Sequence, residues 1–415
     1  MIFICLFLIS VNNLGVGGKS IEKINKCGEI KLESLTTIEW FRMWGVRGNG
    51  VAVDRYNNCY LVGIINNDAF IVKYNKDGNV IWNQTWGRTG DDEGYAVTVD
   101  PNQNSCYITG TTEGLDLSET DGFLVKYDLN GTFLWNLTWG GANSDGGMDL
   151  VVDSFGYCYI AGVINKCNEF SGDGILIKFD TDGNQLWNRT YGGLGLEDGT
   201  GVAIDSGNYC YFAGTTASFA VDYYDMYLVK YTSSGVQVWN KTYDCETWDR
   251  CFGLAIDGWN NSYLVGDPGL LKVDPMGNPL WRQTLAELDD PLVTNIAIDS
   301  KNNCYITGFT MIDDIFDTLH TAFIVKFDAS GNALGHRLID NGDGLYWGSG
   351  IAVDAFNNFY VAGNIYWERG FLFVSNILYP QRISGFEWLF LFILGEIIGL
   401  ILIEMKYRQK ITIKL

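Results

Sequence analysis

Histidine is nearly missing from this chain: its 415 residues hold two, His320 and His336. That leaves little room for a zinc site or a histidine-based catalytic relay. Basic residues are also few, 28 Lys and Arg against 49 Asp and Glu, for a formal net charge of −21. Phosphate binding needs clustered Lys and Arg, so the balance argues against nucleic acid as a partner. It suits a solvated surface, a cation or a basic partner. Proline is scarce, at six residues, and charged residues make up only 19%. Gly, Tyr, Phe and Trp fill the space, which is the composition of a globular β protein. No nucleophile, base and orienting group stand together in a way that names a reaction, so no catalytic residue is assigned and the chain is read as a non-enzyme.

What is present is a repeat. From Tyr95 to Gly140 the chain reads YAVTVD, SCYITG, GFLVKYD-LNG and TFLWNLTWG, four short strands with a turn between each pair. The first strand ends in Asp54, Asp100, Asp153, Asp205, Asp257, Asp299 and Asp354, at spacings of 46, 53, 52, 52, 42 and 55 residues. Those spacings are within or somewhat above the size of a four-stranded propeller blade. The second strand sets a Tyr three residues before a Gly in every copy, from Tyr60 and Gly63 to Tyr360 and Gly363. The third carries Lys73, Lys126, Lys178, Lys230, Lys272 and Lys326, then a turn ending in Gly (Gly78 in the first copy), as a left-handed hairpin position requires. The fourth carries Trp82, Trp135, Trp187, Trp239 and Trp281, and copy six has Gly335 instead.

Copy seven stops after Phe371–Val374, with no fourth strand, while Trp40–Gly45 is a fourth strand with nothing before it. Joined, they complete a seventh blade and close the ring, which removes exposed sheet edges. The expected fold is all-β: a seven-bladed β-propeller of four-stranded blades over residues 36–375, closed by its N-terminal strand.

The pattern (V/I)AxD–CYxxG–FxVKYDxxGNxxWNxTWG resembles the bacterial and archaeal seven-bladed β-propeller repeat family of the SBBP type, over roughly Trp40 to Val374. The resemblance implies a fold and a cell-surface location but no activity, since a propeller is a scaffold on which function is grafted. The DxxGxxxW element is also similar to the tryptophan-docking repeats of quinone-dependent dehydrogenases. The eight blades and calcium-bearing catalytic pocket of those enzymes are not found, so the Trp residues are read as inter-blade packing.

Both ends are apolar. Residues 1–18, with the run Ile2–Ile9, read as a signal peptide or short anchor, or a mis-assigned start. Residues 19–35 form a leader and 376–385 a tether. Phe386–Ile403, within an expected transmembrane helix over 386–404, holds thirteen Leu, Ile or Phe residues. Each contributes about −0.3 to −0.6 kcal/mol to insertion, which outweighs the cost of Glu396. A buried core helix is the alternative. The basic tail, 405–415, should stay cytoplasmic and the propeller outside, in a single-pass cell-membrane protein.

Residues that repeat build the blade. The Asp residues ending the first strands are turn acceptors, and Cys59, Cys106, Cys158, Cys210 and Cys304 are small buried core residues. A second acidic set, Asp92, Asp145, Asp198, Asp249, Asp290 and Asp343, lies in the links between blades, with Asn49 nearby in copy one. These are either solvated loop acids or a funnel at one channel mouth for a cation, calcium first, or a cationic ligand. The links between second and third strands open on the same face and vary most, as at Glu113 to Asp121, so a protein or glycan partner is expected there. Cys245 and Cys251 are close enough for a disulfide. Sequons at Asn83, Asn136, Asn188 and Asn240 fall in outer strands, and Asn130 and Asn260 in turns. All are candidate glycosylation sites in an exported chain.

Overall fold

The computed structural model describes residues 38–375, apart from residues 45, 103, 114–118, 168–170, 222, 245–248, 268, 286–287, 289–290, 314–317, 340–344 and 366–368. The expected signal segment, leader, tether, membrane span and basic tail lie outside the described residues. Among the described residues no helix is long and apolar enough to cross a membrane.

Seven antiparallel four-stranded sheets make the seven blades of a β-propeller. Blade 1 is Arg47–Val53, Cys59–Ile65, Asp68–Tyr74 and Val80–Trp86, from inner to outer strand. The inner strands of blades 2 to 6 are Asp92–Val99, Ser144–Val152, Gly201–Ile204, Cys251–Ile256 and Leu292–Ile298. Blade 7 is Tyr346–Val353, Phe359–Ile365 and Arg369–Ser375, and its outer strand is Ile38–Trp44 from the other end of the chain. Trp40 pairs with Val374 there as Trp82 pairs with Lys73 in blade 1, so the ring closes as the orphan strand implied.

The core lies between sheets. Tyr60, Val62 and Ile71 of blade 1 bury against Val97, Ile108 and Phe123 of blade 2, and the same contact recurs around the ring. The repeated cysteines are fully buried free thiols within these layers. Burial raises their pKa, to about 12 for Cys106 and Cys304.

Each repeated polar residue has a structural partner. Asp54 Oδ1 accepts the N–H groups of Tyr56 and Asn58 at 2.9 Å, and its Oδ2 accepts the Tyr60 hydroxyl at 3.2 Å. Lys73 Nζ lies 3.6 Å from that carboxylate and donates to the Leu129 carbonyl of blade 2 at 3.1 Å. The Trp82 indole N–H reaches the same carbonyl at 2.9 Å. One backbone oxygen of the next blade is thus held by both a lysine and a tryptophan, and the arrangement repeats at Ser233 and Ala329. The turn glycines, from Gly78 to Gly331, have φ of +74° to +88°, where a Cβ would be strained. Their missing side chains also make room for the preceding blade's tryptophan: a Cβ on Gly131 would lie 2.7 Å from the Trp82 ring.

Candidate functional site: the link-bearing mouth of the ring

Links from the outer strand of one blade to the inner strand of the next share a face with the links between second and third strands. Three of the six acids singled out from the sequence have described, equivalent places there. Asp92, Asp145 and Asp249 each stand two residues before the inner-strand residue that faces a second-strand glycine (Gly94 opposite Gly110, Gly147 opposite Gly162, Cys251 opposite Gly266). All three are buried. Asp92 Oδ2 accepts the Arg88 N–H at 2.7 Å, and Asp145 Oδ2 accepts the Gly141 N–H at 2.5 Å, each four residues back along the link. Asp145 Oδ1 also accepts the Asn165 N–H of the facing link at 2.7 Å.

In blade 4 this place belongs to Glu197. Its carboxylate accepts the N–H groups of Gly193 and Ser218 and the Thr216 hydroxyl, at 2.7–2.9 Å. Asp198 sits one residue on, with Oδ1 accepting the Thr215 N–H at 2.8 Å. The acid that folds this link is therefore Glu197, and the sequence pattern points one residue past it because adjacent acids look alike in a link of variable length. Asp290 and Asp343 lie outside the described residues.

A second carboxylate, from the third strand of the preceding blade, approaches each of these acids. A Cβ on Gly87 would lie 2.3 Å from Asp68 Oδ1 and 2.6 Å from Asp92 Oδ2, and Gly140 stands likewise between Asp121 and Asp145. Glycine at those two positions lets the carboxylates come together. Burial raises the pKa of Asp92 and Asp145, Asp68 and Asp121 add to the rise, and the accepted N–H groups oppose it. In blades 4 and 5 the pair becomes a triad: carboxylate oxygens of Asp225, Asp244 and Asp249 all lie within 4.8 Å of one another.

The position after the cap breaks the sevenfold pattern, also in blades 1, 6 and 7, where Val46, Pro291 and Tyr346 stand in the cap's place. From blade 1 to blade 7 it is Arg47, Glu93, Gly146, Asp198, Arg250, Leu292 and Trp347. Arg47 and Glu93 form an ion pair at 3.2 Å, and Glu93 also accepts Asn49 Nδ2 at 2.9 Å. Arg250 lies on the other side, where it and Lys166 draw down the Asp198 pKa that burial lifts to about 6. Blades 6 and 7 are aromatic instead: His320 Nδ1 accepts the Trp347 indole N–H at 2.7 Å and the imidazole stacks on Phe309. Burial lowers the His320 pKa.

Blade 3 offers only Gly146 in this ring. A Cβ there would meet Thr111 Cγ2 at 2.7 Å, so only glycine admits this close approach, and beside it lies a cleft of about 390 Å³ between blades 2 and 3. Tyr95, Thr111, Thr120, Ser144, Met148 and Val163 line it, with Asp145 below and Lys166 and Cys167 at its edge. Tyr95 and Met148 are the extra residues of β-bulges in their inner strands, which aims them out of the ladder. Nothing in the repeat marks this cleft, because its lining residues are ones that vary between blades.

Of the expected Cys245–Cys251 pair only Cys251 is among the described residues. Cys251 is a free thiol with no exposed surface, seated in the inner strand of blade 5 where five other blades have glycine and blade 6 has Val293, and its Sγ points to the Gly253 carbonyl at 3.8 Å. Cys245, the other half of the expected pair, lies outside the described residues. Asn83, Asn136, Asn188 and Asn240 are exposed on outer strands, as is Asn130 in its turn. Asn260 is half-buried, with φ of +67° and its Oδ1 accepting from Ser206.

No protein-family model matches the chain. Regulatory protein FlaEY from Caulobacter vibrioides is 26% identical over 113 residues, which is 24% of this chain and 12% of that protein's length. Two structures of virginiamycin B lyase from Staphylococcus aureus align over 81% of this chain and 99–100% of theirs. One is the selenomethionine-substituted protein and the other a catalytically inactive variant with quinupristin, with TM-scores of 0.54 and 0.55. Both are 10% identical to this chain, a likeness that shows the fold alone.

Proposed function

We propose that this chain is a non-catalytic recognition module that binds its ligand at the link-bearing mouth, anchored in the cleft over Gly146. The observation that carries this reading is the missing side chain of blade 3, set between the charged Glu93 and Asp198 of its neighbours. Concave sites with a few polar groups are where small ligands or anchoring side chains enter. The carboxylate nearest the cleft, Asp145, spends both oxygens on backbone N–H groups, so it is a structural cap rather than a general base. Taken with the apolar Phe386–Ile403 and the basic residues after it, the reading is of an exported ring held at a membrane by one span. In that setting the exposed outer-strand sequons are glycan acceptors. The test compares cell-surface material retained by the full chain with that retained by a Gly146→Val variant. Lower retention by the variant is expected. Equal retention, or chemical alteration of what is retained, would sink the proposal.

A second reading, cation binding at the same mouth, is favoured by the Asp225–Asp244–Asp249 triad. It predicts that millimolar calcium raises the melting temperature of the parent and not of Asp244→Asn. No shift in the parent refutes it.

A further inference from the structure

We infer that the cleft over Gly146 is a saccharide subsite, an inference that rests on the reading of the mouth as a recognition face. Four hydroxyl-bearing side chains surround it, and their remaining hydrogen-bonding capacity decides what fits. Thr120 Oγ1 donates to the Asp145 carbonyl at 3.1 Å, which leaves that oxygen free to accept. Ser144 Oγ accepts the Thr120 N–H at 3.3 Å, which leaves its proton free to donate. The Tyr95 hydroxyl faces Glu93 Oε2 at 3.4 Å and Thr111 Oγ1 at 3.5 Å, both long contacts that a ligand hydroxyl could replace at little cost. Met148 and Val163 add an apolar wall beside these groups.

A saccharide hydroxyl both donates and accepts, and the ring's C–H faces take apolar or aromatic surface. That combination matches a lining of mixed hydroxyls, one tyrosine ring, a thioether and a valine. Charged ligands match it less well. Asp145 is already committed to two N–H groups, so an ammonium finds no spare carboxylate on the lining. Among the described lining residues Lys166 is the only cation, and its charge acts on Asp198. The volume of about 390 Å³ is at the small end of ligand pockets, which suits a short saccharide or the tip of a longer one.

The test uses the full chain in a detergent without sugar headgroups, against one panel of mono- to tetrasaccharides and a second of amines, amino acids and carboxylates. Binding is read by thermal shift and calorimetry. At least one saccharide should bind, and its affinity should fall about tenfold or more in both Gly146→Val and Ser144→Ala. Ser144→Ala should melt within about 1 °C of the parent, so that lost binding is not lost folding. An amine or carboxylate that binds and responds to both substitutions would overturn the saccharide class while leaving the cleft as the recognition site. A saccharide indifferent to both would overturn the subsite. No response from either panel would overturn the inference and the recognition reading together.

Discussion

Removing the Trp40 indole should destabilise the ring more than removing its counterpart at an internal seam. At the closing seam, Trp40 is 6% exposed, its indole N–H donates to the Lys76 carbonyl at 3.0 Å, and Arg42 Nε donates to the Gly78 carbonyl at 3.1 Å. Val374 stands there where other blades place the repeated lysine, so no ammonium supports the tryptophan. At the seam between blades 3 and 4, Trp187 shares the Ser233 carbonyl with Lys178, whose bond is 2.9 Å long. Truncating a buried Trp to Ala costs about 3–5 kcal/mol. The unfolding entropy, about 2.1 cal/mol/K per residue, comes to roughly 0.7 kcal/mol/K for a ring of this size, so Trp40→Ala should lower the melting temperature by about 4–7 °C. Trp187→Ala should lower it by about half as much, because Lys178 keeps the carbonyl satisfied. Circular dichroism melts of the two variants decide it. A Trp187→Ala effect equal to or larger than that of Trp40→Ala would refute the account of the closing seam.

Other consequences are checked as directly. Lys272 and Asp257 form a buried pair at 3.1 Å, with side chains 4% and 0% exposed, so Lys272→Met should cost about 3–5 kcal/mol in a denaturant titration. Burial raises the carboxyls of Asp149 and Asp198 to about 6 in the folded ring. A raised acid binds protons in the folded state before the unfolded one does, so their contribution to stability grows as pH falls from 7 to 5 and is lost as pH rises through 6. Melts across that window should show the rise, and Asp149→Asn should flatten it. Asp257 and Asp299 behave oppositely: burial raises them, but bonds from Asn261 and Asn303 prevail and their pKa values are lowered. Their stabilisation is lost as pH drops through the acid range below about 4. Among the cysteines of the described residues only Cys167 is exposed. Maleimide at pH 8 followed by peptide mass mapping should therefore modify Cys167 and spare Cys59, Cys106, Cys158, Cys210 and Cys304.

The fold was legible because every blade repeats the same buried polar residues in register. Asp54, Tyr60, Lys73 and Trp82 form one connected unit that ties a blade to its neighbour, and a chain that repeats the unit spells out the architecture. The closing strand was legible for the same reason, through Trp40. The mouth was read less well. An acid holds the link in four blades, at Asp92, Asp145, Glu197 and Asp249, and in blade 4 only the hydrogen bonds to Gly193 and Ser218 show that Glu197 rather than the adjacent Asp198 does so. The cleft was invisible because its lining residues vary between blades.

The division between scaffold and site follows from how the links are held. Buried carboxylates at Asp92, Asp145 and Glu197 gather backbone N–H groups, which fixes the links without help from the side chains beside them. Outside blade 4, where Asp198 also accepts the Thr215 N–H, the next residue is thereby released from holding the link. It takes six different identities in seven blades, from the Arg47–Glu93 ion pair to Trp347 over His320. A substitution there should alter what the mouth binds while leaving the melting temperature nearly unchanged, whereas a substitution one residue earlier should do the reverse. Glu93→Gln and Glu197→Gln make the comparison at the two successive positions, in blades 2 and 4. If both lowered the melting temperature equally, the caps would not be what frees the mouth to vary.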